Sequence, residues 1–127
     1  MSGSTDNTGE QLVRRLSELI EVTEHVRTIL QRYNEASSSV AAHVEDGADL
    51  VGTLESLHGP VRRGEVTEAL QAFEAARHRV RVSMFALAKE QGASVSDVAR
   101  ALGISRQLAA RQAAEAEADE PPGETDE

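Results

Sequence analysis

The 127-residue chain contains no cysteine, no tryptophan, two phenylalanines and one tyrosine. The missing thiols exclude disulfides, thiolate nucleophiles and Cys-ligated zinc together. With aromatics at 2% of residues, a core must be made from aliphatic side chains. That favours helices packed through Leu, Val, Ile and Ala over a β-sandwich, so an all-α protein is expected. No apolar run approaches the length of a membrane span or a signal-peptide core, and the opening Met1-Ser-Gly-Ser-Thr-Asp is polar without a basic region. No membrane association and a cytoplasmic location are therefore expected. Lysine is also scarce: twelve of the thirteen basic residues are Arg and only Lys89 is Lys, alongside abundant Ala and Gly. Arg, Ala and Gly use GC-rich codons, which points to a GC-rich bacterial genome.

What is present is an uneven distribution of charge. The formal net charge is −9, but residues 1–59 hold four Arg and ten acids, residues 60–112 hold nine bases and five acids, and residues 113–127 hold seven acids and no base. The middle segment alone is basic, at +4. Attraction to phosphates follows local potential more than the total, so a nucleic-acid partner is compatible with this acidic chain.

The length allows one modest domain or a small domain with an extension. After a disordered start over residues 1–8, Thr8 with Gln11 three positions on forms a candidate capping box for a long helix. Apolar residues then fall on heptads, with Leu12, Leu19, Val26, Tyr33, Val40 and Leu54 at d and Leu16, Leu30, Val44 and Val51 at a. Thr23, Ser37, Gly47 and His58 are the weak sites, and Val13, Ile20, Val22 and Ile29 at e and g widen the stripe beyond a two-stranded seam. Asp46-Gly47 is the best break in this helix, and His58-Gly59-Pro60, extended by Arg63-Gly64, is the clear stop. A second long helix is expected from about Glu65 to Gln91. Residues 9–91 thus read as a helical hairpin or coiled coil. Antiparallel return of residues 65–91 would cover roughly 40 Å, leaving the Leu12 to Leu30 end uncovered. Leu12, Leu16, Leu19, Ile20, Val26, Ile29 and Leu30 are accordingly the expected self-association residues, with a homodimer as the simplest outcome.

The second helix loses its polar face near its end, at Val80, Val82, Met84, Phe85, Ala86, Leu87 and Ala88, so it is expected to pack on several sides. Residues 82–91 would then also serve as the first helix of a unit spanning 82–114. Within that unit, Ser94 can cap a short helix with Asp97 as its capping-box partner, while Val98 and Leu102 line one face. Gly103 supplies a left-handed residue that ends it, Ile104 plugs the turn, and Ser105 can cap the next helix. From Ala114 the chain turns acidic. Pro121-Pro122-Gly123 ends any helix, and residues 115–127 read as a disordered acidic tail.

Residues 92–112 resemble the helix-turn-helix DNA-binding regulators of bacteria, with Ala99 and Gly103 at the family's small-residue positions and Ile104 at its turn position. The resemblance implies that the second helix enters the major groove of double-stranded DNA, presenting Ser105, Arg106 and Gln107 first and Ala110 and Arg111 one turn later. Arg can pair with guanine and Gln with adenine, while a helix start can hold phosphate. Arg100, Ser94 and Ser96 are implied backbone contacts. Ala109 and Gln112 depart from the bulkier core residues usual in the family, and Leu108 falls on a flank. Two rotational settings of the last helix follow, one with Ala109 and Gln112 inward and one with Leu108 in the core.

Arg77, Arg79 and Arg81 suit either flanking DNA backbone or a solvated helix face. His25, His43, His58 and His78 have no metal-binding spacing, and no nucleophile elbow, phosphate loop or positioned base is present. Neither an enzyme nor a cofactor is expected. The composite expectation is an all-α, dimeric DNA-binding transcriptional regulator. The alternative is a helical adaptor that binds a protein partner, such as a component of the transcription machinery, through its aliphatic stripe.

Overall fold

Helix α1 (Ser4–Glu45) opens the computed structural model, which describes residues 4–118, with side chains described from Asn7 onward. It is followed by α2 (Leu50–Ser56), α3 (Gly59–Glu90), α4 (Val95–Leu102) and α5 (Arg106–Ala118). No strand occurs among the described residues, as the aromatic-poor composition predicts. Residues 119–127, the greater part of the expected acidic tail, lie outside the described residues, while Glu115 and Glu117 belong to α5.

The start of α1 corrects one expectation. A capping residue needs non-helical backbone angles, whereas Thr8 already lies inside the helix. Its hydroxyl donates to the Glu90 carboxylate of α3, so it serves a contact between helices. The end of α1 falls where Asp46-Gly47 predicts. Gly47 takes φ +82°, Gly47 N–H donates to Val44 O at 3.0 Å and Ala48 N–H donates to His43 O at 2.9 Å, closing the last turn. The helix therefore does not run on through Gly47. Asp49 then caps α2 by accepting from Gly52 N–H at 2.8 Å.

The second long helix begins at Gly59, six positions before the expected Glu65. Gly59 and Pro60 occupy its first turn, where the proline's missing N–H would have no helical acceptor in any case. Gly64 is absorbed into the helix at a propensity cost of roughly 1 kcal/mol. The reversal is instead made by Leu57 and His58, and His58 carries the positive φ of 57° that the sequence had suggested for glycine.

The chain forms two compact units, one comprising residues up to Glu18 together with those from Arg77 onward, the other Leu19–Ala76. In the middle unit, Val26 and Ile29 of α1 are buried with Ala69 of α3, flanked by Val22, Val66 and Phe73. In the terminal unit, Phe85 of α3 is buried with Ala99 of α4 and with Ala109 and Ala116 of α5. Val82, Ala86, Val98, Leu102 and Ile104 pack around that cluster. Burying a side chain such as Phe85 contributes roughly 1.5–3 kcal/mol.

These contacts move the uncovered part of the α1 stripe. Val26 and Ile29, expected to meet a second copy, are in the chain's own core. Leu12, Leu16 and Leu19 are half-buried, while Ile20 and Leu30 are exposed. Because α3 starts at Gly59 and not at Glu65, it is about 48 Å long, and its Glu90 meets Thr8 of α1. Exposure concentrates instead at the other end of the middle unit, at Tyr33, Val44, Leu50, Val51, Leu54 and Val61.

Candidate functional site

The α4–α5 pair is built from local signals that act over three or four residues. Ser94 Oγ accepts from Asp97 N–H at 3.0 Å, and Asp97 Oδ2 accepts from Ser94 N–H at 3.2 Å, a reciprocal cap on α4. The Ser94 backbone N–H, then its hydroxyl, hold the Asp97 carboxyl below its usual value of 3.8, with Arg100 adding to the effect against a small opposing desolvation. Gly103 ends α4 at φ 73°, ψ 31°, while Ile104 N–H donates to Ala99 O at 3.0 Å. Ile104 turns into the Phe85 cluster. Ser105 Oγ then accepts from Leu108 N–H at 3.1 Å, so the chain reverses across Gly103, Ile104 and Ser105 alone.

Helix α5 is set with Ala109 and Gln112 inward, which decides between the two rotational settings. Ala109 is 0% exposed and Gln112 is 4% exposed, whereas Leu108 is only half-buried. At about 100° per residue, Ala109, Gln112 and Ala116 share an arc of roughly 60°, Gln107, Ala110 and Arg111 occupy the opposite side, and Arg106 flanks the buried arc beside Ala109. Arg106, Gln107, Ala110 and Arg111 are all exposed. Among the described residues neither Arg106 nor Arg111 has an acidic partner. Arg100, also exposed, is held at 2.7 Å from Asp97. Ser105 and Ser94 are exposed and engaged as caps, and Ser96 is half-buried.

The charge on α5 is polarised along its length. Its first turns carry Arg106 and Arg111, while Glu115 pairs with His78 and Glu117 with Lys89, at 3.3 Å, both on α3. The acids of the helix are thereby drawn toward α3. The first amides of the helix, at Arg106 and Gln107, lie at the positive end of the helix dipole, with Arg111 one turn on from Gln107. This surface can hold phosphate oxygens and present paired donors to a flat hydrogen-bonding edge.

Of the other arginines, Arg79 lies 3.8 Å from Glu18, and Arg81 is half-buried. Two features were not found by sequence reasoning. The first turns of α1 line an open groove of about 760 Å³ with α3 and the end of α5, through Gln11, Arg15, His78, Arg79 and Glu115 among others. Only tertiary contact joins these residues. The second is the Gln112 side-chain oxygen, which is buried without a hydrogen-bond partner. Among the described residues no group of His, Asp or Glu is arranged to hold a metal ion. Comparison of the chain with protein-family models, curated proteins and solved structures finds no match.

Proposed function

We propose that this chain is a DNA-binding transcriptional regulator, with α4 and α5 acting as a helix-turn-helix and the chain working as a homodimer. The observation that carries the reading is the division of α5 into a buried face of Ala109, Gln112 and Ala116 and an exposed cationic face of Arg106, Gln107, Ala110 and Arg111. Arg106 and Gln107 stand at the helix start, where such helices meet base edges, and Arg111 follows one turn later. Arg100 and the capped helix starts at Ser94, Ser96 and Ser105 suit contacts to the sugar-phosphate backbone. Two copies would present two such helices to a site with two halves, which one small unit would bind weakly.

The test is a binding titration on genomic duplex fragments across a salt series. Affinity should fall steeply as salt rises, because each neutralised phosphate releases counterions. Arg106→Ala with Arg111→Ala should flatten that salt slope by about one unit for each lost phosphate contact and weaken binding by roughly 1–3 kcal/mol for each lost base contact. Unchanged binding by a double variant of native helicity would reject the assignment. A helical adaptor is the second reading, favoured by the exposed aliphatic residues of the middle unit. Absence of a shift at any salt would decide for it.

A further inference from the structure

We infer that a second copy of this chain docks at the exposed end of the middle unit, where α1 finishes, and that the two copies cross about a two-fold axis near Ser37. This deepens the self-association in the proposed function by naming its surface, and mass measurements read it without DNA.

The stripe that packs Val22, Val26 and Ile29 against α3 continues along the same face of α1. Leu30, Tyr33, Ser37, Val40 and Val44 lie within about 80° of one another around the helix, over a rise of about 21 Å. The upper part of that face is only partly covered: Tyr33 is 47% and Val44 50% exposed, with Val40 half-buried between them. The chain then adds Leu50, Val51 and Leu54 of α2 and Val61 of α3, all exposed and all at the end of the unit where the chain turns from α1 to α3. Summed over these side chains, on the order of 500–600 Å² of apolar surface is left to solvent, the amount found at the top of the range for proteins that work alone. Two such surfaces brought together supply roughly the 1,000 Å² or more that a specific interface needs.

The composition of the crossing segment favours a second copy over a different partner. In a closed two-fold contact only residues at the axis meet their own counterparts, so a charge there would repel itself. Residues 36–42, Ala-Ser-Ser-Ser-Val-Ala-Ala, carry no charge at all. Antiparallel crossing at Ser37 sets Leu30 opposite Val44, two aliphatic side chains, and Tyr33 opposite Ala41, a large side chain against a small one. The earlier part of the stripe is spent on the chain's own core and is not free for this role.

The test measures solution mass by light scattering or sedimentation, on the full chain without DNA. The native chain should run at about 27 kDa, twice its 13.6 kDa. Tyr33→Glu and Val51→Glu should each halve that mass while circular dichroism keeps its helical content. The chain has no cysteine, so Ser37→Cys should form a covalent dimer on mild oxidation. Ile20→Cys, at a position 63% exposed but on another face of α1, should not. A native chain that stays monomeric up to its solubility limit overturns the inference. So does a dimer that survives both glutamate substitutions, or equal cross-linking from Ser37→Cys and Ile20→Cys.

Discussion

The unit made from the two ends of the chain and the unit made from its middle are both helical and both poor in aromatics, yet they close their cores to different degrees. In the terminal unit Phe85 is surrounded by Ala99, Ala109 and Ala116, and the small side chains let α3, α4 and α5 approach until little apolar surface remains. Among its described residues only Val13 and Val95 are large, apolar and exposed. The middle unit buries Val26, Ile29 and Ala69 but leaves Ile20, Leu30, Tyr33, Val44, Leu50, Val51, Leu54, Val61 and Leu70 open to solvent. A short sequence with few large side chains can complete one core well or two cores partly. Here the completed core underlies the cationic face of α5 and fixes its geometry. The open one leaves its aliphatic side chains to solvent.

Breaking the closed core should have the largest effect. Phe85→Ala should cost roughly 3–5 kcal/mol in urea denaturation, because the alanines around it cannot fill the cavity. The same truncation at exposed Ile20 of the middle unit should change stability by less than about 0.5 kcal/mol. Equal effects at the two positions would erase the contrast. Next comes Gln112→Met, which removes the buried oxygen without a partner while keeping the volume. It should raise stability by about 1–3 kcal/mol, read as a shift in the denaturation midpoint at constant slope. Gly103→Ala should cost roughly 1–2 kcal/mol, since no neighbouring atom lies within 4 Å of the added methyl and only the left-handed backbone is penalised. Gly103→Asn should recover part of that loss.

The smallest effect is pH-dependent. The folded Asp97 carboxyl titrates below its ordinary value, so its contribution is fully present above about 3.8 and is lost as pH falls through the lower, folded value. Acid should therefore loosen the α4 cap. Asp97→Asn should remove that part of the acid dependence and leave the middle unit's behaviour unchanged, as monitored by amide exchange along α4 and α3.

Several parts of the site were legible because they depend on neighbours in the sequence. A cap is decided by residues three positions apart, so Ser94 with Asp97, Gly103 and Ser105 can be read before any tertiary contact is known. The break at Asp46-Gly47 was legible for the same reason. The start of α1 was misread at Thr8, since a threonine inside a helix offers the same hydroxyl as one at its end. His58-Gly59-Pro60 was read as a stop followed by loop, although proline in a first turn also permits an immediate restart. The rotation of α5 was not legible, because Ala109 and Gln112 are weaker core signals than Leu108. It took the packing against Phe85 to settle which side faces inward.

The sequence alone was enough to determine that this chain is helical, where α4 ends and α5 begins, and which residue types stand on the last helix. These follow from backbone preference and hydrogen bonds that close within one turn. Tertiary structure decided which length of the aliphatic stripe is covered, which arginines have partners and which glutamine is buried. Burial is a sum over residues far apart in the chain, and ending α1 at Glu45 with α3 starting at Gly59 sets every such contact along α1 while leaving the heptad pattern itself unaltered.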